Sequence, residues 1–113
     1  MKIPNGNRAI IDDAKVRDYL LSPDHPIGRF KARVFASVGY HRDNWQRLRD
    51  DLLALASTID AKPIQTNAFG ERWAGTGQLR GPNGTPLPVV TVWLIPSEGA
   101  SPRLITAYPA SAA

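Results

Sequence analysis

The chain has 113 residues, enough for one domain around a single core and too few for two. It has no cysteine, which excludes a disulfide framework and a thiolate metal site and fits a reducing cytoplasm. Its net charge is +4, and 42% of its residues are hydrophobic, as in an ordinary globular protein. No stretch approaches the roughly 20 apolar residues of a membrane span. Met1–Gly6 lacks the apolar core of a signal peptide, so the expectation is a cytoplasmic protein with no membrane partner.

In chain order, Asn5-Gly6 signals a turn and Arg8–Ile11 a short strand. Asp12 or Asp13 caps a first helix, in which Val16, Tyr19 and Leu20 form one apolar stripe. Ser22-Pro23 ends it, because proline disfavours helix in the residue before it. Asp24–Gly28 is a loop held by two prolines. The second helix runs from Arg29 to Val38, with Phe30, Val34 and Val38 as its buried stripe and Gly39 as its stop. A third helix starts at Asp43 or Asn44 and carries Trp45, Leu48, Leu52 and Leu55 at amphipathic spacing.

After Thr58 the pattern changes to strands, at Lys62–Thr66, Glu71–Leu79, Val89–Ile95 and Arg103–Tyr108. Gly81–Gly84 reads as a hairpin turn. Residues 1–108 form the predicted domain and residues 109–113 a loose tail. Helices first and strands after argue for an α+β fold, with helices packed on an antiparallel sheet of about four strands.

Charge is unevenly placed. Residues 28–49 hold Arg29, Lys31, Arg33, Arg42, Arg47 and Arg49 against Asp43 alone, a local excess of +5. Such a segment attracts phosphates or acidic proteins, or is simply a solvated helix face.

The run Ser22–Phe35, then Val38–Tyr40, Phe69–Trp73, Gly81–Gly84, Val90–Trp93 and Pro102–Tyr108, resembles a family of small bacterial domains. That family is related to the C-terminal toxin domains of polymorphic and contact-dependent toxins. The resemblance covers residues 3–108. It implies the broad ribonuclease fold shared by barnase, EndoU, certain colicins and RelE, in which helices precede an antiparallel sheet. One departure matters: tryptophan stands at Trp73 where the family often has a tyrosine, so Trp73 is given no catalytic role. A free-standing chain of this kind resembles the toxin half of a toxin–antitoxin pair.

The resemblance implies metal-independent RNA cleavage, in which the ribose 2′-hydroxyl attacks phosphorus and leaves a 2′,3′-cyclic phosphate. This needs a base, an acid and cations for the phosphorane charge. His25 is the expected acid or base, with Gly28 and the helix N-terminus offering backbone donors to an anion; its structural alternative is a helix cap. Lys31 binds the scissile phosphate or lies along Phe35. Arg72, Thr106 and Tyr108 complete the expected catalytic set. Arg29, Arg33, Thr91 and Trp93 are expected to contact RNA, provided the Thr91/Trp93 and Thr106/Tyr108 strand faces join into one surface. His41 is read as surface.

No metal-ligand pattern, phosphate loop or hydrolase elbow is present, so neither metal nor cofactor is expected. The expected partners are RNA and an acidic antitoxin or immunity protein. The alternatives are a non-catalytic nucleic-acid- or protein-binding module, or an immunity protein.

Overall fold

A computed structural model describes residues 1–110. Three helical segments precede a four-stranded antiparallel sheet in the order β1-β2-β3-β4, so the fold is α+β. Helix α1 begins at Asp13–Lys15 and continues as a π-helical stretch, Val16–Leu20. Helix α2 spans Arg29–Ser37, and α3 spans Trp45–Ala56 after a 3-10 turn at Arg42–Asn44. The strands are β1 Asp60–Asn67, β2 Gly70–Arg80, β3 Pro86–Ile95 and β4 Arg103–Pro109. Strand β4 thus takes in Pro109, which the sequence pattern places in the tail; residues 111–113 lie outside the described residues.

Local chemistry accounts for the breaks. At the end of α2, Gly39 takes a φ of 101°, which a residue with a Cβ rarely adopts. The Tyr40 and Gly39 N–H groups then reach back to the Phe35 and Ala36 carbonyls at 3.0 Å, closing a Schellman motif. The contact that accompanies such a motif is present too, with the Phe35 and Tyr40 rings edge-on at 6.3 Å. The Gly81–Gly84 turn closes through the Gly84 N–H to the Gly81 carbonyl at 2.8 Å.

The core lies between the helices and one face of the sheet. Val16, Leu20, Phe35, Leu48, Leu52 and Ala56 meet Leu79, Val89, Trp93 and Ala107. Each large side chain so buried is worth about 1.5–3 kcal/mol relative to exposure.

Two local expectations fail. Arg8–Ile11 is not a strand; Ile10 alone makes a parallel bridge to Arg103 at the edge of β4. Phe30 is not buried but 58% exposed, and Val34 is only half-buried. Helix α2 packs on the core through its Ala32–Phe35 flank, so of the expected stripe Val38 is buried, Val34 half-buried and Phe30 turned outward. Helical periodicity defines a stripe, but the docking angle decides which flank is covered.

Candidate functional site

The site forms where the end of α1, the loop before α2 and the outer strand β4 meet. The Lys31 ammonium, on α2, donates to the Tyr19 hydroxyl and to Thr106 Oγ1, the latter at 3.1 Å. The Tyr19 and Thr106 hydroxyls lie 3.4 Å apart, which closes a triangle of three polar groups. All three residues are half-buried. The His25 ring stands edge-on to the Tyr19 ring at 4.9 Å. Lys31 and Lys15 place their ammonium groups 4.7 and 5.4 Å from the Tyr19 ring centre.

This environment changes the Tyr19 phenol. Burial by itself raises its pKa. Hydrogen bonds from Lys31 and Thr106, with the positive charges of Lys31 and Lys15, outweigh burial and hold it below the ordinary tyrosine value.

Backbone contacts fix the geometry. Tyr19 sits in the π-helical stretch, a local form often found at functional sites. Gly28 lies directly against it: a Cβ there would fall 2.0 Å from the Tyr19 carbonyl oxygen. Glycine is required at position 28 for this close approach. His25 Nδ1 accepts the N–H groups of Ile27 and Gly28, each at 3.0 Å, and its carbonyl accepts the Arg29 N–H at 3.0 Å, so these three donors of the α2 entry are taken. His25 is therefore a cap of the α2 entry, and its neutral ring carries its proton on Nε2.

The other expected residues divide by sheet face. Residues directly opposite across strands share a face. Thr106 pairs with Val92, Tyr108 with Val90, and Arg72 with Leu94. Thr91 pairs with Ala107 and lies on the other face, as does Trp93. The two faces therefore do not join. Thr91 and Trp93 are wholly buried toward the helices, where the Trp93 indole N–H donates to Thr91 Oγ1 at 2.9 Å. Arg72 shares a face with Thr106, but β3 separates them and no hydrogen bond or ion pair joins Arg72 to the cluster among the described residues. Tyr108 stands one step beyond Thr106 on the same face and is 40% exposed. Arg29 and Arg33 are exposed on α2.

Tyr19 is the residue that sequence reading missed. Its spacing with Val16 and Leu20 made it look like one more core residue, and only its polar tip distinguishes it.

The family model described as "Domain of unknown function (DUF6883)" matches residues 2–111. The chain belongs to the DUF6883 family. No curated protein sequence matches it. Among solved structures, this DUF6883 chain is similar to a chain of a contact-dependent growth inhibition toxin–immunity protein complex from Klebsiella pneumoniae 342. The TM-score is 0.71 at 16% identity, over 96% of this chain and 99% of the other. At that identity the likeness is one of fold. Among the described residues no helix is long and apolar enough to cross a membrane. Among the described residues no group of three or more His, Cys, Asp or Glu side chains is placed to hold a metal.

Proposed function

We propose that this chain is a toxin that cleaves RNA by transesterification, with Tyr19, Lys31, Thr106 and His25 at its active site. The observation that carries this reading is the Lys31–Tyr19–Thr106 triangle, in which an ammonium group lowers the pKa of a half-buried phenol. A phenol of this kind gives up its proton more readily than an ordinary tyrosine, which suits it to proton transfer. The fold shared with a chain of a toxin–immunity complex supports the toxin setting. The net charge of +4 suits a polyanionic substrate and an acidic inhibitor.

In this scheme Tyr19, as phenolate, takes the proton of the ribose 2′-hydroxyl. The freed 2′-oxygen attacks phosphorus and forms the 2′,3′-cyclic phosphate, and the 5′-oxygen departs with a proton from Lys31. The hydrogen bond between Tyr19 and Lys31 then returns the proton from phenol to amine and restores both groups. Two of the three Lys31 N–H donors are held by Tyr19 and Thr106, which leaves one for the phosphate. His25 donates from Nε2 to a phosphate oxygen, because its Nδ1 is occupied by the loop backbone. Tyr108 and Arg72, on the sheet face that carries Thr106, bind flanking parts of the substrate.

The test is to incubate the purified protein with total RNA, with and without EDTA, and to analyse the new ends. Cyclic phosphate ends that persist in EDTA, with growth arrest on expression, are expected. Neither cleavage nor arrest, or protection of cells from a co-expressed toxin, rejects this reading in favour of a binding or immunity role.

A further inference from the structure

We infer that a groove on the Arg29 side of α2 binds the sugar–phosphate backbone of single-stranded RNA, and that exposed Phe30 stacks on one of its bases. This rests on RNA being the substrate and names how the strand is held beyond the reacting phosphate.

At about 100° per residue, Lys31, Phe30, Arg33 and Arg29 follow one another around α2 in that angular order, Lys31 half-buried and the other three exposed. Lys31 points into the Tyr19–Thr106 triangle. At the other end of the strip, Arg29 and Arg33 border a groove floored by Ala32 and Ala36 and flanked by His41 and Arg42. No carboxylate lines this groove.

Arg29 and Arg33 are uncompensated in a way that the rest of the segment, including Arg42 at the flank of the groove, is not. Arg42 is paired with Asp18 at 2.8 Å, Arg47 with Asp51 at 3.0 Å and Arg49 with Asp50 at 2.9 Å. Arg29 and Arg33 have no carboxylate within 4.0 Å among the described residues. Two like charges four apart on a helix repel by a few tenths of a kcal/mol. Nothing in the fold offsets that repulsion, whereas a bound anion does. Four residues of helix, about 6 Å of rise, separate the two side chains along the axis. That suits successive phosphates of one strand.

Phe30 adds a second chemistry. It is 58% exposed, and the Arg29 guanidinium lies 4.9 Å from its ring centre. Ile27, 66% exposed, belongs to the adjoining loop. An aromatic ring set between cations matches a chain that alternates phosphates with flat bases. An acidic protein segment would satisfy the arginines but leaves the ring unexplained.

The experiment uses a short 2′-O-methylated single-stranded RNA, which lacks the attacking hydroxyl, with binding read by fluorescence anisotropy across a salt series. Phe30→Ala is expected to weaken binding about tenfold and Phe30→Trp to restore it. Arg29→Gln and Arg33→Gln are each expected to flatten the slope of log K against log salt by about 0.7. These side chains are exposed, and the variants are expected to keep their fold, which circular dichroism checks. Failure of the wild type to bind, or unchanged affinity and slope in all three loss variants, overturns the groove even if total RNA is still cleaved. Loss of binding to a co-encoded partner protein, with oligonucleotide binding intact, also overturns it and makes the groove a protein interface. Absence of cleavage with the expected binding losses upholds the groove and rejects only the enzymatic reading.

Discussion

Gly28 and Tyr19 are in backbone contact: a methyl group on Gly28 would sit 2.0 Å from the Tyr19 carbonyl oxygen. The loop that carries His25 is thereby pressed onto the end of α1, and the His25 and Tyr19 rings come within 4.9 Å. Gly28→Ala is expected to cost about 1–3 kcal/mol of stability, as overpacking does, and to displace Tyr19 from Lys31. Chemical denaturation together with the RNA cleavage assay checks this. A fully stable, fully active Gly28→Ala protein would show that the contact has no role.

Tyr19→Phe and Lys31→Met each remove one member of the proposed proton-transfer pair. Each is expected to lower the cleavage rate by about 10²- to 10⁴-fold. Lys31→Arg is not expected to rescue, because guanidinium does not give up its proton at working pH. Rates for folded variants decide the matter, and a Tyr19→Phe protein with wild-type activity removes the phenol from the mechanism.

The tyrosines report on the same cluster without any substrate. In an ultraviolet titration Tyr19 is expected to ionise below the ordinary tyrosine range, because the hydrogen bonds and charges around it outweigh its burial. Lys31→Met is expected to shift that early phase upward, and Tyr19→Phe to abolish it. An early phase that survives Tyr19→Phe would assign it to another group.

Tyr40 behaves in the opposite sense. Burial, then its hydrogen bond to Asp51 at 2.6 Å and the Asp51 charge, push its pKa well above the ordinary value. A raised pKa means that the unfolded chain loses this proton first. The contribution to stability is therefore full below about pH 10, the unfolded tyrosine value, and is lost as pH rises above it. Urea midpoints are expected to fall between mildly and strongly alkaline pH, less steeply in Tyr40→Phe. Equal slopes in the two proteins would remove Tyr40 as the cause.

Trp93 and Thr91 are expected to matter for folding alone. Thr91→Val keeps the shape but takes the acceptor from the Trp93 indole N–H, at a cost of about 1–3 kcal/mol for a buried donor left unpaired. Oligonucleotide affinity measured on folded Thr91→Val protein is expected to be unchanged. A selective loss of affinity would return these two residues to the binding surface.

The sequence by itself determined the three main helices and the four sheet strands, the hairpin at Gly81–Gly84, the Gly39 stop and the α+β layout, but not the lone bridge at Ile10 that it read as a strand. These follow from local physics: proline and glycine dihedrals, helical and strand periodicity, and turn chemistry. It also marked His25, Lys31 and Thr106, but it had no means of joining them. Three things belonged to the tertiary structure. The register of β4 put Thr106 and Thr91 on opposite faces, because a one-residue offset in a strand reverses the side chain. The docking of α2 exposed Phe30 and turned Lys31 inward to Tyr19, a tyrosine that looked like core. The basic segment is also split: Asp18, distant in sequence, pairs with Arg42, the near neighbours Asp51 and Asp50 pair with Arg47 and Arg49, and Arg29 and Arg33 have no carboxylate partner among the described residues. Charge and periodicity are summed along the chain, whereas pairing and burial depend on which surfaces meet across it. That is why the run Ser22–Arg33 was legible as a candidate site and Tyr19, which packs against it, was not.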